Sequence, residues 1–521
     1  MSDAAPNPPA APSAYDLMPM SGPALWIAGL LLALANFMAV LDMTIANVSV
    51  PNIAGGLAVS PSQGAWVITS YAVAEAITVP LTGWLAQRFG AVKVFVFAMA
   101  GFGLCSALCG LAPSLSMLVV FRIMQGLAGG PMMPLSQTLL RRIFPARQQA
   151  MAMGLWSMTT VVGPIVGPLL GGALVDQAGW PWVFYINVPM AAVCAVLAWR
   201  FLASRETPTE RIPVDFVGLG LLITWVGAMQ IVLDKGKDLD WFQSPVIVGL
   251  ALVALVGFTS FIIWELTEAH PIVDLRVFRH RGFTAATVIM SLSFGAFFSS
   301  VVLIPLWLQT NMGYTAGWAG KAMAFQGILA VVMSPIVARF MGRFDLRALV
   351  SFGVLVMGGV ALWRTGFASN MDFMGVSLPN LAQGFAMPFF FIPTTVLALG
   401  SVLPRETASA AGLMNFMRTT AGAFGTSITL TAWENATTSQ HSDLVGVLHN
   451  PQGAIDTLTR MGMSAQGALE QLNTMVDGEA TMAATDHIFL VIAMVFVAGA
   501  TAVWIAPKPA PMAGGPPMGG H

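Results

Sequence analysis

WIAGLLLALANFMAVLDMTIANV, residues 26–48, holds a single ionisable side chain, Asp42, in an otherwise apolar run. A helix rises 1.5 Å per residue, so such a run crosses the roughly 30 Å hydrocarbon core of a bilayer. Comparable stretches follow at 63–87, 92–112, 115–140, 149–175, 182–202, 214–233 and 244–266. A second set runs 283–310, 316–340, 347–367, 373–400, 407–432 and 487–507. Composition agrees: hydrophobic residues make up 56% of the chain and charged residues 9%, against about 25% charged in soluble domains. A water-soluble core of this size would need a charged shell that the chain does not supply. The net charge of -1 offers no basic excess, which argues against nucleic acid as a partner. The reading is an all-α membrane protein whose first partner is the lipid bilayer.

Residues 1–25 contain no Lys or Arg, so they lack the basic start of a signal peptide and read as a disordered tail. The Pro/Gly/Met-rich segment 508–521 reads the same way. Cys105, Cys109 and Cys194 all fall within apolar runs. Cys105 and Cys109 share a helix face, but no His or acid accompanies them, so they read as buried small hydrophobes and no metal site is expected.

Basic residues orient the spans. With both termini placed in the cytoplasm, the inner loops hold Arg88 and Lys93; Arg141, Arg142 and Arg147; Arg200, Arg205 and Arg211; Arg276, Arg279 and Arg281; Arg339, Arg343 and Arg347; then Arg405 and Lys508. The outer side keeps Lys235, Lys237, Arg364 and Arg460. That asymmetry is the positive-inside pattern. One outer segment, 433–486, is polar and acidic; it reads either as a solvated loop with local helix or as a docking surface.

The chain also repeats itself. Arg147, Ala150, Ala152, Gly154, Leu155 and Gly167 recur 258 positions later as Arg405, Ala408, Ala410, Gly412, Leu413 and Gly425, and Gln125-Gly126 recurs as Gln383-Gly384. Pro80, Arg88 and Phe89 answer Pro335, Arg343 and Phe344 at an offset of 255. The organisation implied is a six-helix bundle at 26–202, two inserted helices at 214–266, and a second bundle at 283–507 running parallel to the first. Duplicated halves enclosing a site at mid-membrane are a transporter pattern.

Ionisable groups inside apolar spans are costly unless paired or functional. Asp42 lies about 13 Å below the outer end of span one, and Arg122 about 10 Å below the outer end of span four, so the two share a depth. Such a pair is either a switch that takes up a proton when the guanidinium withdraws, or a static bond that fixes packing. Glu75, about 18 Å from either end of span two, fits a second protonation site, a lure for cationic substrate, or a wet wall without a specific role. Arg418 is the main charge of span thirteen; it balances Glu75 or Asp42, or meets an anionic substrate. No acid answers Asp42 in the second half, and Asn380 answers Arg122. No histidine lies well inside a span, which argues against a histidine relay. There is no phosphate-binding loop of the G-x-x-x-x-G-K-[ST] form and no nucleophile constellation, so neither ATP-driven pumping nor an enzyme is expected.

Five motifs stand in order: LDMTIANVSVP (41–51), GWLAQRFGAVK (83–93), RIMQGLAGGP (122–131), GPIVGPLLGG (163–172) and WPWVFYINVP (180–189). Together they resemble the major facilitator superfamily, within it the fourteen-helix drug:H⁺ antiporters, and most closely multidrug exporters of the EmrB type. The similarity covers nearly the whole chain. It implies a fourteen-helix fold of two six-helix bundles plus two inserted helices, and export of hydrophobic small molecules driven by the proton gradient with no other cofactor. It implies a bacterial inner-membrane location. It also implies a periplasmic membrane-fusion adaptor and an outer-membrane channel as partners. By the same resemblance Arg122 takes a part in proton coupling; Asp42 is its acid by the reading of depth above, with Glu75 as a candidate second site. Gly163, Pro164, Gly167, Pro168, Gly171 and Gly172 form the antiport signature, a close-packed and bent helix in physical terms. Gly83, Arg88, Gly90 and Lys93 form an inner gate loop, although Gln87 stands where the family has Asp, so an amide hydrogen bond is expected instead. Trp156, Phe294, Phe298, Phe389 and Asn415 are candidate cavity residues. A proton-coupled metabolite transporter of the same fold is the alternative reading.

Overall fold

A computed structural model of the chain describes residues 19–64, 66–368, 371–447 and 451–507. The expected tails at 1–18 and 508–521, with Lys508, lie outside the described residues. The start of the chain orders sooner than expected, because Met20 is buried and its N–H donates to Ile143 O at 2.8 Å.

The described residues form helices and connecting turns. The first half comprises α1 (Pro23–Gly56), α2 (Pro61–Gly64), α3 (Trp66–Thr78), α4 (Thr82–Phe89), α5 (Ala91–Gly110), α6 (Leu115–Gly129), α7 (Met132–Ile143), α8 (Gln149–Ala178), α9 (Trp182–Tyr185) and α10 (Asn187–Leu202). Two helices follow, α11 (Phe216–Lys235) and α12 (Pro245–Thr267). The second half comprises α13 (Arg281–Thr310), α14 (Ala316–Phe340), α15 (Leu346–Arg364), α16 (Phe373–Gly400), α17 (Thr407–Val447), α18 (Pro451–Arg460) and α19 (Ala465–Ala502).

Among the described residues eleven spans are long and apolar enough to cross a membrane, or twelve if a bent pair counts as one. Three of the expected stretches fall short, each for a local reason. Stretch 63–87 is interrupted at Val79–Leu81, beside Pro80, which lacks the N–H a continuous helix needs there. Stretch 149–175 is the bent pair, turning by 50° between Gln149–Pro164 and Leu169–Ala178. Stretch 407–432 lies in α17, which is continuous but diluted by Ser, Thr, Asn and Arg418.

Helix pairing repeats between the halves. α1 packs on α8 as α13 packs on α17; α3 on α6 as α14 on α16; α5 on α10 as α15 on α19. The matched glycines explain this, since Gly167 on α8 lets α1 approach through Thr44, and Gly425 on α17 lets α13 approach through Gly295. The halves meet chiefly along α8 and α14, while α11 bridges them by packing on α3, α12 and α17.

Two expectations change at the end opposite the arginine-rich loops. The polar segment 433–486 is largely helical: α17 and α19 continue through it as extensions, with α18 between them. They are joined where Trp433 Nε1 donates to Thr485 Oγ1 at 2.9 Å and His441 meets Asp477 at 3.3 Å. Arg364, counted above as an outer surface charge, is instead 1% exposed within the second half. Lys321, over the Trp318 ring, joins the surface charges at that end.

Candidate functional site

Asp42 owes its place to α8. A Cβ on Gly163 would sit 2.5 Å from Val40 Cγ1, one on Gly167 would sit 2.7 Å from Thr44 Cβ, and one on Gly171 would sit 3.3 Å from Ile45 Cγ1. Three glycines one turn apart thus seat the residues flanking Asp42 against α8, and Thr44 Oγ1 donates to Gly163 O at 3.3 Å. Lower on α1, Asn36 Nδ2 donates to Thr159 and Thr160 at 2.8 and 2.9 Å. Gly172 faces open space, so it takes no part in this seam. Pro164 ends the first arm of the bend, and the side chain of Pro168 lies outside the described residues.

Arg122 reaches Asp42 from α6, with Nη1 2.7 Å from Asp42 Oδ2 and both side chains fully enclosed. The common depth read from the sequence therefore corresponds to a direct ion pair. Three further side chains complete it. Gln125 Nε2 and Asn187 Nδ2 donate to Asp42 Oδ1 at 3.1 and 2.7 Å. Ser106 Oγ accepts from the same two amides at 3.3 Å each and donates to Phe184 O at 2.9 Å. Arg122 also donates to Val67 O at 3.0 Å and to Gln125 Oε1 at 2.8 Å, and it lies over the Tyr71 ring at 4.2 Å. Both carboxylate oxygens of Asp42 are thus occupied by donors, three in all. Arg122 Nη2 is buried with no acceptor, so the network leaves a donor unused and does not exhaust the guanidinium.

Gln125, Asn187 and Ser106 were not singled out as functional in the sequence. Gln125 lies three residues after Arg122 and so shares its helix face, and Asn187 stands in WPWVFYINVP. Those were the available signals. Ser106 had none.

Glu75 is buried on α3, one turn beyond Tyr71, where Gly126 and Gly130 bring α6 and its continuation against the α3 backbone. The charges acting on it are Asp42, Arg122 and, from the second half, Arg418. Arg418 is 2% exposed. Its Nη2 lies 3.7 Å from Met133 Sδ, its Nε has no partner, and its guanidinium faces Trp156 at 5.4 Å and Phe294 at 5.3 Å. Phe294 stacks on Phe298 at 5.5 Å. One turn earlier Asn415 Nδ2 donates to Gln137 Oε1 at 3.0 Å. Four of the five candidate cavity residues, Trp156, Phe294, Phe298 and Asn415, thus gather around Arg418 on the plane between the halves. Phe389 does not. It packs with Phe352 and Phe385 on the α15 side of α16, because its position on α16 turns it away from the other half.

The second half carries its own buried cation. Arg364 Nη2 donates to Asn380 Oδ1 at 2.8 Å, and the guanidinium faces Phe489 at 5.6 Å. At the offset of 255 it answers Cys109, whose Sγ lies 3.5 Å from Gln125 Oε1. Each half therefore encloses an arginine held by a side-chain amide, but from different helices: Arg122 of α6 on Gln125 and Arg364 of α15 on Asn380. Among the described residues no carboxylate lies within ion-pair reach of Arg364.

At the arginine-rich end, Gly83 lets α17 approach so closely that a Cβ would sit 2.7 Å from Ser409 Cα. Arg88 donates to the carbonyl of Ile212 and lies beside the Trp84 ring. Gly90 adopts φ +95, and the space a side chain would fill holds the Glu206 carboxylate. Glu206 accepts from Val92 N and Lys93 N at 2.9 Å each, closing the start of α5. The amide bond expected of Gln87 is not the device used here: its main-chain carbonyl accepts from Glu210 N at 2.8 Å, and the acid of this corner comes from the linker after α10.

The sequence profile of the Major Facilitator Superfamily matches residues 32–426. The multidrug export protein EmrB of Escherichia coli strain K12 is 44% identical over 508 residues, covering 96% of this chain and 99% of that protein. The fatty acid resistance protein FarB of Neisseria gonorrhoeae is 43% identical over 507 residues, with the same coverage. Among solved structures, the proton:xylose symporter XylE shares the fold at TM-score 0.58 and 14% identity, covering 93% of this chain and 96% of that one. The chain belongs to the Major Facilitator Superfamily and is an EmrB-like membrane transporter.

Proposed function

We propose that this Major Facilitator Superfamily protein is a proton-coupled antiporter that exports hydrophobic drugs and other toxic compounds by alternating access. Its relatives named for multidrug export support the direction and the substrate class. The observation that carries the coupling is the enclosed Asp42–Arg122 pair at 2.7 Å. An ion pair taken out of water is expensive, and this one stands on the helix that packs against the bent, glycine-lined α8. When α8 shifts against α1, the pair separates and the carboxylate, left in a dry site, takes up a proton. Arg418 lies between the halves, against Met133 and Trp156 of the first and Phe294 of the second, and substrate passes there in this reading.

The finer assignments follow the same reading. The chain crosses a bacterial inner membrane fourteen times, with both termini and the arginine-rich loops in the cytoplasm. The proton gradient is its energy source and no further cofactor is used; it is a transporter and not an enzyme. The helical hairpin built from 433–486 projects into the periplasm, and a membrane-fusion adaptor with an outer-membrane channel completes a tripartite pump.

The test is substrate-driven proton movement in reconstituted vesicles, screened against neutral, cationic and anionic compounds. Counter-movement of protons and drug is expected, abolished by Asp42→Asn. Movement of both in the same direction would favour a metabolite symporter, and wild-type coupling in Asp42→Asn would remove Asp42 from the mechanism.

A further inference from the structure

We infer that α11 is a cross-brace between the halves, footed on the first half at the arginine-rich end and clipped to the second half at the far end. The inference rests on the alternating-access reading above and adds a mechanical part that the duplicated bundles do not themselves contain.

The foot is the segment that leads into α11. Ala91 N donates to Thr207 Oγ1 at 2.8 Å, Glu210 N to Gln87 O at 2.8 Å, and Trp84 Nε1 to Pro213 O at 3.3 Å. Arg88 reaches the Ile212 carbonyl between them. These partners all stand on α4 and α5. Asp215 then caps α11, its Oδ1 accepting from Gly218 N at 2.8 Å, so the helix starts directly from the anchored strand of chain. A cavity of about 270 Å³, lined by Arg211, Ile212, His270 and Ser409 among others, separates this foot from the linker that enters the second half.

The clip is the turn that leaves α11 at the far end. Asp240 and Trp241 adopt φ +56 and +50, a conformation that a bulky residue keeps only where its surroundings enforce it. Here Trp241 N donates to Gly236 O at 2.7 Å, and a Cβ on Gly236 would sit 2.6 Å from the indole ring. The turn aims that ring at α17, where Nε1 donates to Thr431 Oγ1 at 3.0 Å. Ser427 Oγ donates to Leu233 O at 2.8 Å, and Lys237 pairs with Glu434 at 2.6 Å. Ser427, Thr431 and Glu434 are four and three residues apart, so they form one stripe of α17. The ion pair is half-exposed and weak by itself; the two hydrogen bonds are the sheltered holds.

Between foot and clip, α11 fills a cleft. α17 packs closely on α4 but scarcely on α3, although α3 and α4 are consecutive stretches of one crossing, and α11 packs on both α3 and α17. Trp225 meets Phe416 of α17 edge-on at 5.8 Å. Toward α3, Thr69 donates to the Asp234 carboxylate, and a Cβ on Gly227 would reach Val73 only at 3.9 Å. Rocking of one bundle against the other that closes the far end must bring α17 toward α3, where α11 stands. The clip then carries the far end of α11 with α17, and the Thr69–Asp234 contact opens. The foot stays with α4 and α5, so α11 tilts between the halves at each turnover.

The test uses the full chain in liposomes with pairs of spin labels on introduced cysteines; the three native cysteines are buried. Leu111→Cys, Gln243→Cys and Asn311→Cys report the first half, the clip and the second half at the far end. Arg147→Cys, Arg211→Cys and Arg343→Cys report the first half, the foot and the second half at the arginine-rich end. All six positions are exposed. Distances are collected at pH 8 and pH 5 to change the populations of the two states. Leu111–Asn311, across the halves, should show two separations. Gln243–Asn311 should keep one, while Gln243–Leu111 should differ between the states by at least about 5 Å, half a helix diameter. At the other end the order reverses: Arg211–Arg147 stays fixed and Arg211–Arg343 changes. Trp241→Ala combined with Ser427→Ala undoes the clip, so Gln243–Asn311 should then take two separations. A hairpin that keeps its distance to the same half at both ends overturns the brace and leaves alternating access standing. So does a Gln243–Asn311 separation that the clip variant leaves unchanged. A single Leu111–Asn311 separation at both pH values overturns alternating access and the brace together.

Discussion

Asp42→Asn removes one charge and preserves the shape of the side chain, which makes its cost calculable from the contacts. Asp42 accepts from Arg122, Gln125 and Asn187. An asparagine keeps one oxygen and turns an N–H2 group toward at least one of these donors. Arg122 then remains enclosed without a counter-charge, a situation that costs about 3–5 kcal/mol when a buried pair loses one member. For a large domain each kcal/mol moves the melting temperature by about 2–4 °C, so a fall of roughly 10 °C is expected in detergent. Arg122→Gln should be similarly costly. The double variant should recover part of the loss, because the two neutral side chains no longer leave an orphan charge, with an interaction energy at the upper end of the roughly 0.5–3 kcal/mol range. Thermal unfolding of the four proteins, followed by loss of the monodisperse species, measures the cycle. A single-variant shift below about 2 °C, or additive losses, would refute the claim that the pair is bound as a unit.

Three other perturbations probe the surroundings. Gly167→Ala places a methyl group against Thr44, so α1 and α8 must separate; drug-driven proton movement should fall at least about tenfold while the protein still inserts, and near-normal exchange would show that the seam is not needed. Glu206→Gln keeps acceptor oxygen at the start of α5 but removes the charge, and should cost about 0.5–1 kcal/mol with transport largely retained, as read by melting temperature and vesicle assay; collapse of transport would make Glu206 part of the gate. Arg364→Met replaces an enclosed cation that has no carboxylate within ion-pair reach among the described residues, so stability should hold or rise; a fall comparable with that of Arg122→Gln would reveal a counter-charge for Arg364.

Much of the site was readable in one dimension because depth along a helix is linear in sequence. The 1.5 Å rise placed Asp42 and Arg122 at one level before any contact was known, and the offset of 258 relates Gly167 to Gly425, two glycines at which the halves pack alike. Gln87, by contrast, pointed to a changed gate without saying what replaced the acid. The acid found at that corner, Glu206, comes from more than a hundred residues away, and no local pattern ties it to Gly90.

By itself the sequence determined that the chain spans a membrane as helices in two parallel halves, since apolar length, charge asymmetry and repeated glycines are properties of segments. Only the tertiary structure decided how each helix is turned about its own axis. That rotation puts Trp156, Phe294, Phe298 and Asn415 around Arg418 and sends Phe389 to the far side of α16. It buries Arg364 at a position that the chain order alone assigns to the surface, and it brings Asn187 onto Asp42 with Ser106 behind it. A helix offers its partners on all sides at every depth, and which of them meet is settled by the packing of its neighbours. The enclosed acid of residues 26–48 was legible from the first; the two amides that hold it with Arg122, and the Ser106 hydroxyl that holds those amides, became visible only when α5, α6 and α10 closed around α1.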